Sequence, residues 1–188
     1  MPDVRLLGIS GSLRSGSHNT RLLRAAGREL PGGVELRPYE RLRQVPPYDE
    51  DEDGDTPPAE VARLREELAR SDGLLIATPE YNQSIPGQLK NAIDWASRPF
   101  PDSALRFLPT AVVGASVGAF GAVWAQAEMR KVLAACGARV IEGEVALGHA
   151  HERFDAEGNL IDDEALEQLR EVLGLLVGEI RVREAATL

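Results

Sequence analysis

The sequence predicts an α/β domain, a parallel sheet covered by helices on both faces, and three observations predict it. Short apolar runs alternate five times with longer segments whose apolar residues recur at helical spacing. Parallel strands need crossover connections of that kind, so the alternation implies a parallel sheet. Three of the apolar runs, ending at Ile9, Thr78 and Val117, lead into loops rich in Gly, Ser and polar residues. Sheets of this class bind ligands at the carboxyl ends of their strands, which is where those loops fall.

The elements follow in order. "VRLLGI", Val4 to Ile9, is nearly continuous in apolar residues, as a strand buried on both faces must be. "HNTRLLRAAGREL" carries Leu22, Leu23, Ala25, Ala26 and Leu30 at helical spacing, with Ser17 in the N-cap position and "PGG" as its stop. "VELRPY" reads as a second strand limited by Pro38. "AEVARLREELARS" is an amphipathic helix with Val61, Leu64 and Leu68 on one face. "GLLIATP", Gly73 to Pro79, is another buried strand. "PGQLKNAIDWAS" reads as a helix with Pro86 in the first helical position and Leu89, Ile93 and Trp95 along it. "TAVVGASVG" is a strand ending in glycines, and "AVWAQAEMRKVLAACG" a helix closed by Gly137. "ARVIEGEV" gives a weaker fifth strand, and "DDEALEQLREVLGLLVGEIRV" a terminal amphipathic helix.

At 188 residues the chain is long enough for one domain with a sizeable core, and its 43% hydrophobic and 27% charged content is ordinary for a globular protein. No apolar run reaches membrane-spanning length and the N-terminus lacks a signal-peptide layout, so a cytoplasmic location is expected. A formal net charge of −9 argues against general nucleic-acid binding, which needs a basic face. It leaves room for a local positive site. Cys136 is the single cysteine, which excludes an intrachain disulfide and Cys-rich metal clusters; its apolar setting reads as packing.

The first loop, "GISGSLRSGSHNT", concentrates donors for a phosphate. Ser10, Ser12, Ser17 and Thr20 offer hydroxyls, Asn19 an amide and Arg14 a forked cation, while Gly11 and Gly16 admit backbone N–H groups. The helix N-terminus near Ser17 adds partial positive charge. The loop has no lysine, so it is not the G-x-x-x-x-G-K-[ST] loop, and its glycine spacing does not fit G-x-G-x-x-G. The terminal phosphate of a mononucleotide fits better, the alternative being a solvent-facing linker. In the second loop, "TPEYNQSIPGQLKNAIDW", Pro79 and Pro86 stiffen the ends and Glu80, Tyr81, Asn82 and Ser84 stand between them. A rigid turn of that kind suits a planar heterocycle with donors and acceptors; an ordinary strand-to-helix turn is the plainer reading. The third loop, "GASVGAFGAVWAQ", supplies Ser116, Gly118 and Gly121 around Phe120, and its glycines permit close backbone approach.

At these residues the chain resembles the NADPH-dependent FMN reductase family, which includes quinone, azo-dye and chromate reductases. "GSLRSGSHNT", "TPEYNQSIPGQLKNAIDW" and the Ser116–Gly118–Gly121 loop carry the resemblance, in order, over most of the chain. It implies a single flavodoxin-like FMN-binding domain over residues 1–188, a three-layer sandwich with five parallel strands in order 2-1-3-4-5. It also implies a homodimer or homotetramer. Carried over by motif, Ser10, Ser12, Arg14, Ser17, His18, Asn19 and Thr20 surround the FMN phosphate. Pro79, Glu80, Tyr81, Asn82 and Ser84 line the isoalloxazine ring, with Ser116, Gly118 and Gly121 at its other edge.

Two residues depart from the family pattern: His18 stands where Phe or Tyr is usual, and Trp124 where a smaller or basic residue is expected. The implied reaction is hydride transfer from NADPH or NADH to the flavin N5, then two-electron reduction of a small acceptor: a quinone, azo compound, chromate or free flavin. The cofactor carries that chemistry, so no catalytic acid or base is assigned, Tyr81 being the one weak candidate for a proton donor. A flavodoxin-type carrier that binds FMN and serves protein partners is the alternative.

Two other patterns compete. Asp49, Asp51, Asp53, Gly54 and Glu60 match a calcium-loop spacing, but Pro46, Pro47, Pro57 and Pro58 break the flanking elements such loops need, so a solvated acidic loop is expected. The resemblance places this stretch near the substrate end of the site. "HAHERFD" offers His149 and His151 without further ligands nearby and reads as a polar surface connection. No metal site is therefore expected.

Overall fold

The structure, a computed structural model, describes residues 3–187. Strands β1 (Val4–Ser10), β2 (Val34–Pro38), β3 (Gly73–Thr78) and β4 (Pro109–Ala115) form a parallel sheet, extended by the two-residue strands β5 (Arg139–Val140) and β6 (Ala146–Leu147). The order is β2-β1-β3-β4-β5, with β6 also on β4. Val4 pairs with Val34, Leu6 with Gly73 and Leu74 with Thr110. The crossover helices are α1 (His18–Glu29), α2 (Ala59–Ala69), α3 (Gly87–Ala96) and α4 (Val123–Ala135), and α5 (Asp163–Thr187) is the last helix.

Successive side chains of a strand point to opposite faces, and the core divides accordingly. Leu6, Leu75 and Val113 pack beneath α1 and α5, together with Leu22, Leu169 and Leu173. Leu7, Ile9, Leu74 and Ile76 pack on the other face with Leu64 of α2, Leu89 and Ile93 of α3 and Met129 of α4. Every residue of β3 and β4 is buried, which explains why those runs read as unbroken apolar sequence.

Two expected boundaries differ. Pro86 is the N-cap of α3 rather than its first helical residue; its carbonyl accepts from Lys90 N–H at 3.0 Å. The fifth strand, expected over 138–145, is split. Ile141 N–H still donates to Thr110, but Glu142, Gly143 and Glu144 have low strand preference and leave the ladder. Arg130 of α4 holds that stretch by pairing with Glu144 at 2.8 Å, and the chain rejoins β4 as β6.

The Pro-rich segment after β2 is tied to α3. Gln88 donates to the Leu42 and Val45 carbonyls, Asn91 and the Trp95 indole donate to Pro46, and Tyr48 N–H donates to Asn91. In the calcium-like pattern Asp53 meets Arg65 at 2.7 Å and Arg98 at 3.8 Å, while Glu60 takes a bidentate contact from Arg41. Arginines thus occupy two carboxylates that a cation would require. Cys136 is the half-buried C-cap of α4, and burial pushes its thiol pKa up.

Candidate active site

The carboxyl ends of β1, β3 and β4 bring the three predicted loops together. Gly11 N–H continues the ladder to Ala77 O at 2.8 Å, so the first loop leaves the sheet alongside β3. A Cβ at Gly11 would stand 2.7 Å from the end of the Leu89 side chain and 3.1 Å from the Pro79 ring, so glycine lets the first loop lie close against the second.

Within the first loop, Ser17 is buried and caps α1, its hydroxyl accepting from Thr20 N–H at 3.1 Å. Thr20 Oγ1 donates to Ser10 Oγ at 3.0 Å, and Arg21 N–H goes to Ser17 O. The N–H groups of His18 and Asn19 keep no intramolecular partner among the described residues, as expected of a helix's first turn. Ser12 is half-buried and Arg14 exposed, with no carboxylate partner for Arg14 among the described residues. The loop therefore offers an anion two free N–H groups, hydroxyls and one uncommitted guanidinium.

The Asn19 side chain does something the sequence did not suggest. Only 2% exposed, it donates to Ala115 O and accepts from Ala115 N–H, both at 2.9 Å. It ties α1 to the end of β4 and so fixes the first loop relative to the third. Its backbone N–H, not its amide, faces the open helix end.

The second loop is a tight hairpin turn. Tyr81 and Ser84 exchange two backbone hydrogen bonds at 3.1 Å, with Asn82 at φ 54° and Gln83 at φ 60°. Two successive left-handed residues make a type I′ turn, which Asn favours. Tyr81 is 53% exposed at its edge. Pro79 is buried and its carbonyl accepts from the Thr78 hydroxyl at 2.8 Å. Glu80 accepts from Ala125 N–H at 3.1 Å and so supplies the cap that α4 lacks locally. Ser84 Oγ donates to Glu128 at 2.6 Å. Both side chains lock the second loop to α4.

In the third loop Gly121 has φ +57°, and a Cβ there would sit 2.2 Å from the Ala146 backbone; nothing but glycine fits. Gln126, fully buried, donates to Gly121 O and Val145 O at 3.1 and 3.2 Å. Ser116 Oγ accepts from Gly118 N–H at 3.1 Å. Behind this loop runs the His149–Glu152 segment: His149 N–H donates to Gly118 O and Ala150 N–H to Ser116 O. The predicted surface connection is thus the backing of the site, and His149 and His151 are exposed beside it. No local signal could have shown this, because it depends on β6 pairing with β4. Gln126 was missed for the same reason.

His18 stacks on Phe154, with ring centroids 5.9 Å apart, and its Nδ1 is buried without a partner. Burial foremost, then the charges of Arg14, Arg21 and His151, lower its pKa from 6.5, so the ring is neutral at physiological pH. Trp124 is 44% exposed and meets Phe120 edge-to-face at 5.1 Å. With Tyr81 and Val117 these two residues make the ends of the second and third loops apolar at the surface. A cleft of about 460 Å³ is lined by Ser10, Ser12, Arg14 and Thr20 of the first loop and continues between α1 and β2.

The donors present fit a flavin mononucleotide. An open helix end and a guanidinium with no carboxylate partner among the described residues are what a phosphate would require, and rigid Gly- and Pro-shaped turns what a planar ring would require. Comparison with known proteins agrees. Residues 4–152 match the family described as NADPH-dependent FMN reductase. An NAD(P)H-dependent FMN reductase of Pseudomonas aeruginosa is 43% identical over 93% of this chain and 94% of its own. A 2-hydroxy-1,4-benzoquinone reductase of a Burkholderia species is 37% identical over 96% and 98%. Among solved structures, the flavoenzyme NAD(P)H:(acceptor) oxidoreductase FerB of Paracoccus denitrificans superposes with a TM-score of 0.83 at 31% identity, covering 95% and 97% of the two chains. These relatives are reductases, which weighs against the electron-carrier alternative. The family model spans residues 4–152, most of the chain and all three loops, and the chain belongs to the NADPH-dependent FMN reductase family.

Proposed function

We propose that this protein holds FMN across the three loops and uses NAD(P)H to reduce a quinone or a similar small acceptor such as an azo compound, chromate or free flavin. The observation that carries the reading is the Gly11 junction. It sets the first loop, which leads into an anion-ready helix end, against Pro79 at the start of the rigid second turn, an arrangement that suits a phosphate and a planar ring on one ligand. In this reading the N–H groups of His18 and Asn19, the hydroxyls of Ser10, Ser12 and Thr20, and Arg14 hold the phosphate, while Ser17 shapes the turn by capping α1. Pro79, Glu80, Tyr81, Asn82 and Ser84 flank one edge of the ring; Ser116, Gly118 and Gly121 flank the other.

Bound FMN supplies hydride acceptance from NAD(P)H and two-electron delivery to the acceptor. The chain contributes position. Glu80 and Ser84 clamp the second loop to α4, Asn19 clamps the first to β4, and Gln126 holds the third, so none of the donors has to reorganise when charge develops on a bound ring. Tyr81, exposed at the turn, is the side chain best placed to close over a flat ligand. Acceptor breadth follows from that openness, since few groups surround the outer face.

The reading further includes a single domain over residues 1–188, a cytoplasmic location and a homodimer or homotetramer. No helix among the described residues is long and apolar enough to cross a membrane. The exposed Tyr81, Val117, Phe120 and Trp124 support self-association, because clustered surface aromatics favour burial against a partner. The decisive test is the visible spectrum of the purified protein, with identification of the flavin released on denaturation and steady-state NADPH oxidation with benzoquinone. A protein that stays colourless with added FMN, or binds FMN without turnover, would overturn it.

A further inference from the structure

We propose that Phe120 and Trp124 form an aromatic corner that seats flat, uncharged electron acceptors of fused rings, in preference to single-ring quinones and to oxyanions such as chromate. The proposal rests on the reading that FMN lies across the three loops, and it narrows the acceptor class of that site.

The two rings meet edge-to-face, with centroids 5.1 Å and planes 67° apart, yet both stay in solvent, Phe120 64% and Trp124 44% exposed. Such a pair leaves apolar surface open at an angle. A flat molecule lying against one ring meets the other at its edge, an arrangement aromatic groups favour. The third loop holds this corner rigid. His149 N–H donates to Gly118 O at 3.1 Å and Val123 N–H to Phe120 O at 3.2 Å, while Gly121 makes a left-handed turn. Gly148 leaves room for the Ala119 carbonyl, which a Cβ there would meet at 2.3 Å. Phe120 is thus presented by a braced turn.

The place of the corner in the fold points to the acceptor. Trp124 and Glu128, four residues apart, share one face of α4. Glu128 accepts from the Ser84 hydroxyl, and Glu80 accepts from Ala125 N–H, so that end of α4 abuts the second loop and its exposed Tyr81. In the FMN reading the second and third loops flank the two edges of the ring, which sets Phe120 and Trp124 beside the approach to its outer face. The ionised side chains that tie the second loop to α4, Glu80 and Glu128, are carboxylates in a chain of net charge −9. They repel an oxyanion and leave an uncharged ring unaffected.

The size of the patch agrees. The exposed parts of Tyr81, Phe120 and Trp124 amount to roughly 250–400 Å², at most half of the roughly 800 Å² per partner in a stable protein interface. A second copy would need further surface, whereas a two-ring acceptor does not. Trp124 is also one of the two residues at which the chain departs from the family pattern.

The test uses flavin-loaded protein. Trp124→Ala and Phe120→Ala should each lower kcat/KM for 2-methyl-1,4-naphthoquinone about three- to tenfold, through KM, the worth of one aromatic contact. The value for chromate should hardly change, and Trp124→Phe, which keeps a ring, should recover most of the loss. Without NAD(P)H, calorimetric titration of the oxidised protein with the same naphthoquinone should weaken in parallel, and 1,4-benzoquinone should bind the parent less tightly. Anaerobic reduction of the bound flavin by NADPH should be unchanged, since no acceptor takes part in it. An unchanged naphthoquinone-to-chromate ratio in both alanine variants, with flavin bound, overturns the proposal. So does an equal loss with every acceptor or a loss of flavin, which would assign the pair to the fold or to the FMN site. A fall in molar mass by light scattering with the ratio unchanged also overturns it, by assigning the pair to a contact between copies. The FMN reading is separate and fails only if the parent binds no flavin or turns over no acceptor.

Discussion

Replacing Asn19 by alanine should destabilise the apoprotein by about 3 kcal/mol. The side chain makes two hydrogen bonds at 2.9 Å to the backbone of Ala115, and both residues are 2% exposed. Each bond contributes about 1 kcal/mol net, and truncation leaves a buried N–H and a buried carbonyl unpaired at about 1–3 kcal/mol each, partly relieved by water entering the open end of the loop. For a domain of this length 3 kcal/mol corresponds to a fall in Tm of about 6–12 °C. Urea unfolding of the apoprotein, followed by far-UV circular dichroism, reads the change as a shift in midpoint at constant slope. FMN affinity, measured separately by quenching of flavin fluorescence, should fall as a secondary effect because the first loop loses its tie to β4. A loss of stability under about 1 kcal/mol, or an unchanged midpoint with FMN binding abolished, would refute the assignment of Asn19 as a structural clamp.

Arg14→Ala should weaken FMN binding about 10- to 100-fold, the worth of a charge-assisted contact, while leaving the apoprotein Tm unchanged, since the exposed guanidinium has no carboxylate partner among the described residues. Equal loss of both would contradict it. His18 has its pKa held below 6.5, so the unfolded chain takes up the proton first as pH falls; the stability this contributes is complete above pH 6.5 and is lost progressively below it. His18→Phe, which retains an aromatic ring against Phe154, should therefore flatten the decline of apoprotein Tm between pH 7 and about pH 5, and an unchanged slope would count against it. Gly121→Ala should cost about 2 kcal/mol or more, from the left-handed backbone and the collision with Ala146, read by the same urea titration. A neutral substitution there would show that the third loop is free to rearrange.

The sequence alone determined the sheet class, the strand order through family resemblance, and the three polar loops at the carboxyl ends of the strands. Those features are written locally: a buried parallel strand must be continuously apolar, a helix must repeat its apolar residues every three or four positions, and a phosphate loop must crowd small and polar residues. What single residues do was decided by the tertiary structure. Asn19 and Ser17 look alike as phosphate donors in the sequence, yet Ser17 caps its own helix and Asn19 reaches Ala115, 96 positions away. Glu80 and Ser84, read from the sequence as ring contacts, anchor the turn to α4 across more than forty residues. The split fifth strand, the backing of the third loop by His149 and Ala150, and the cleft between α1 and β2 were likewise invisible. Each arises where segments distant in the chain are pressed together, and there a buried polar group must take whichever partner the packing supplies, because leaving it unpaired costs more than the role its local sequence suggests.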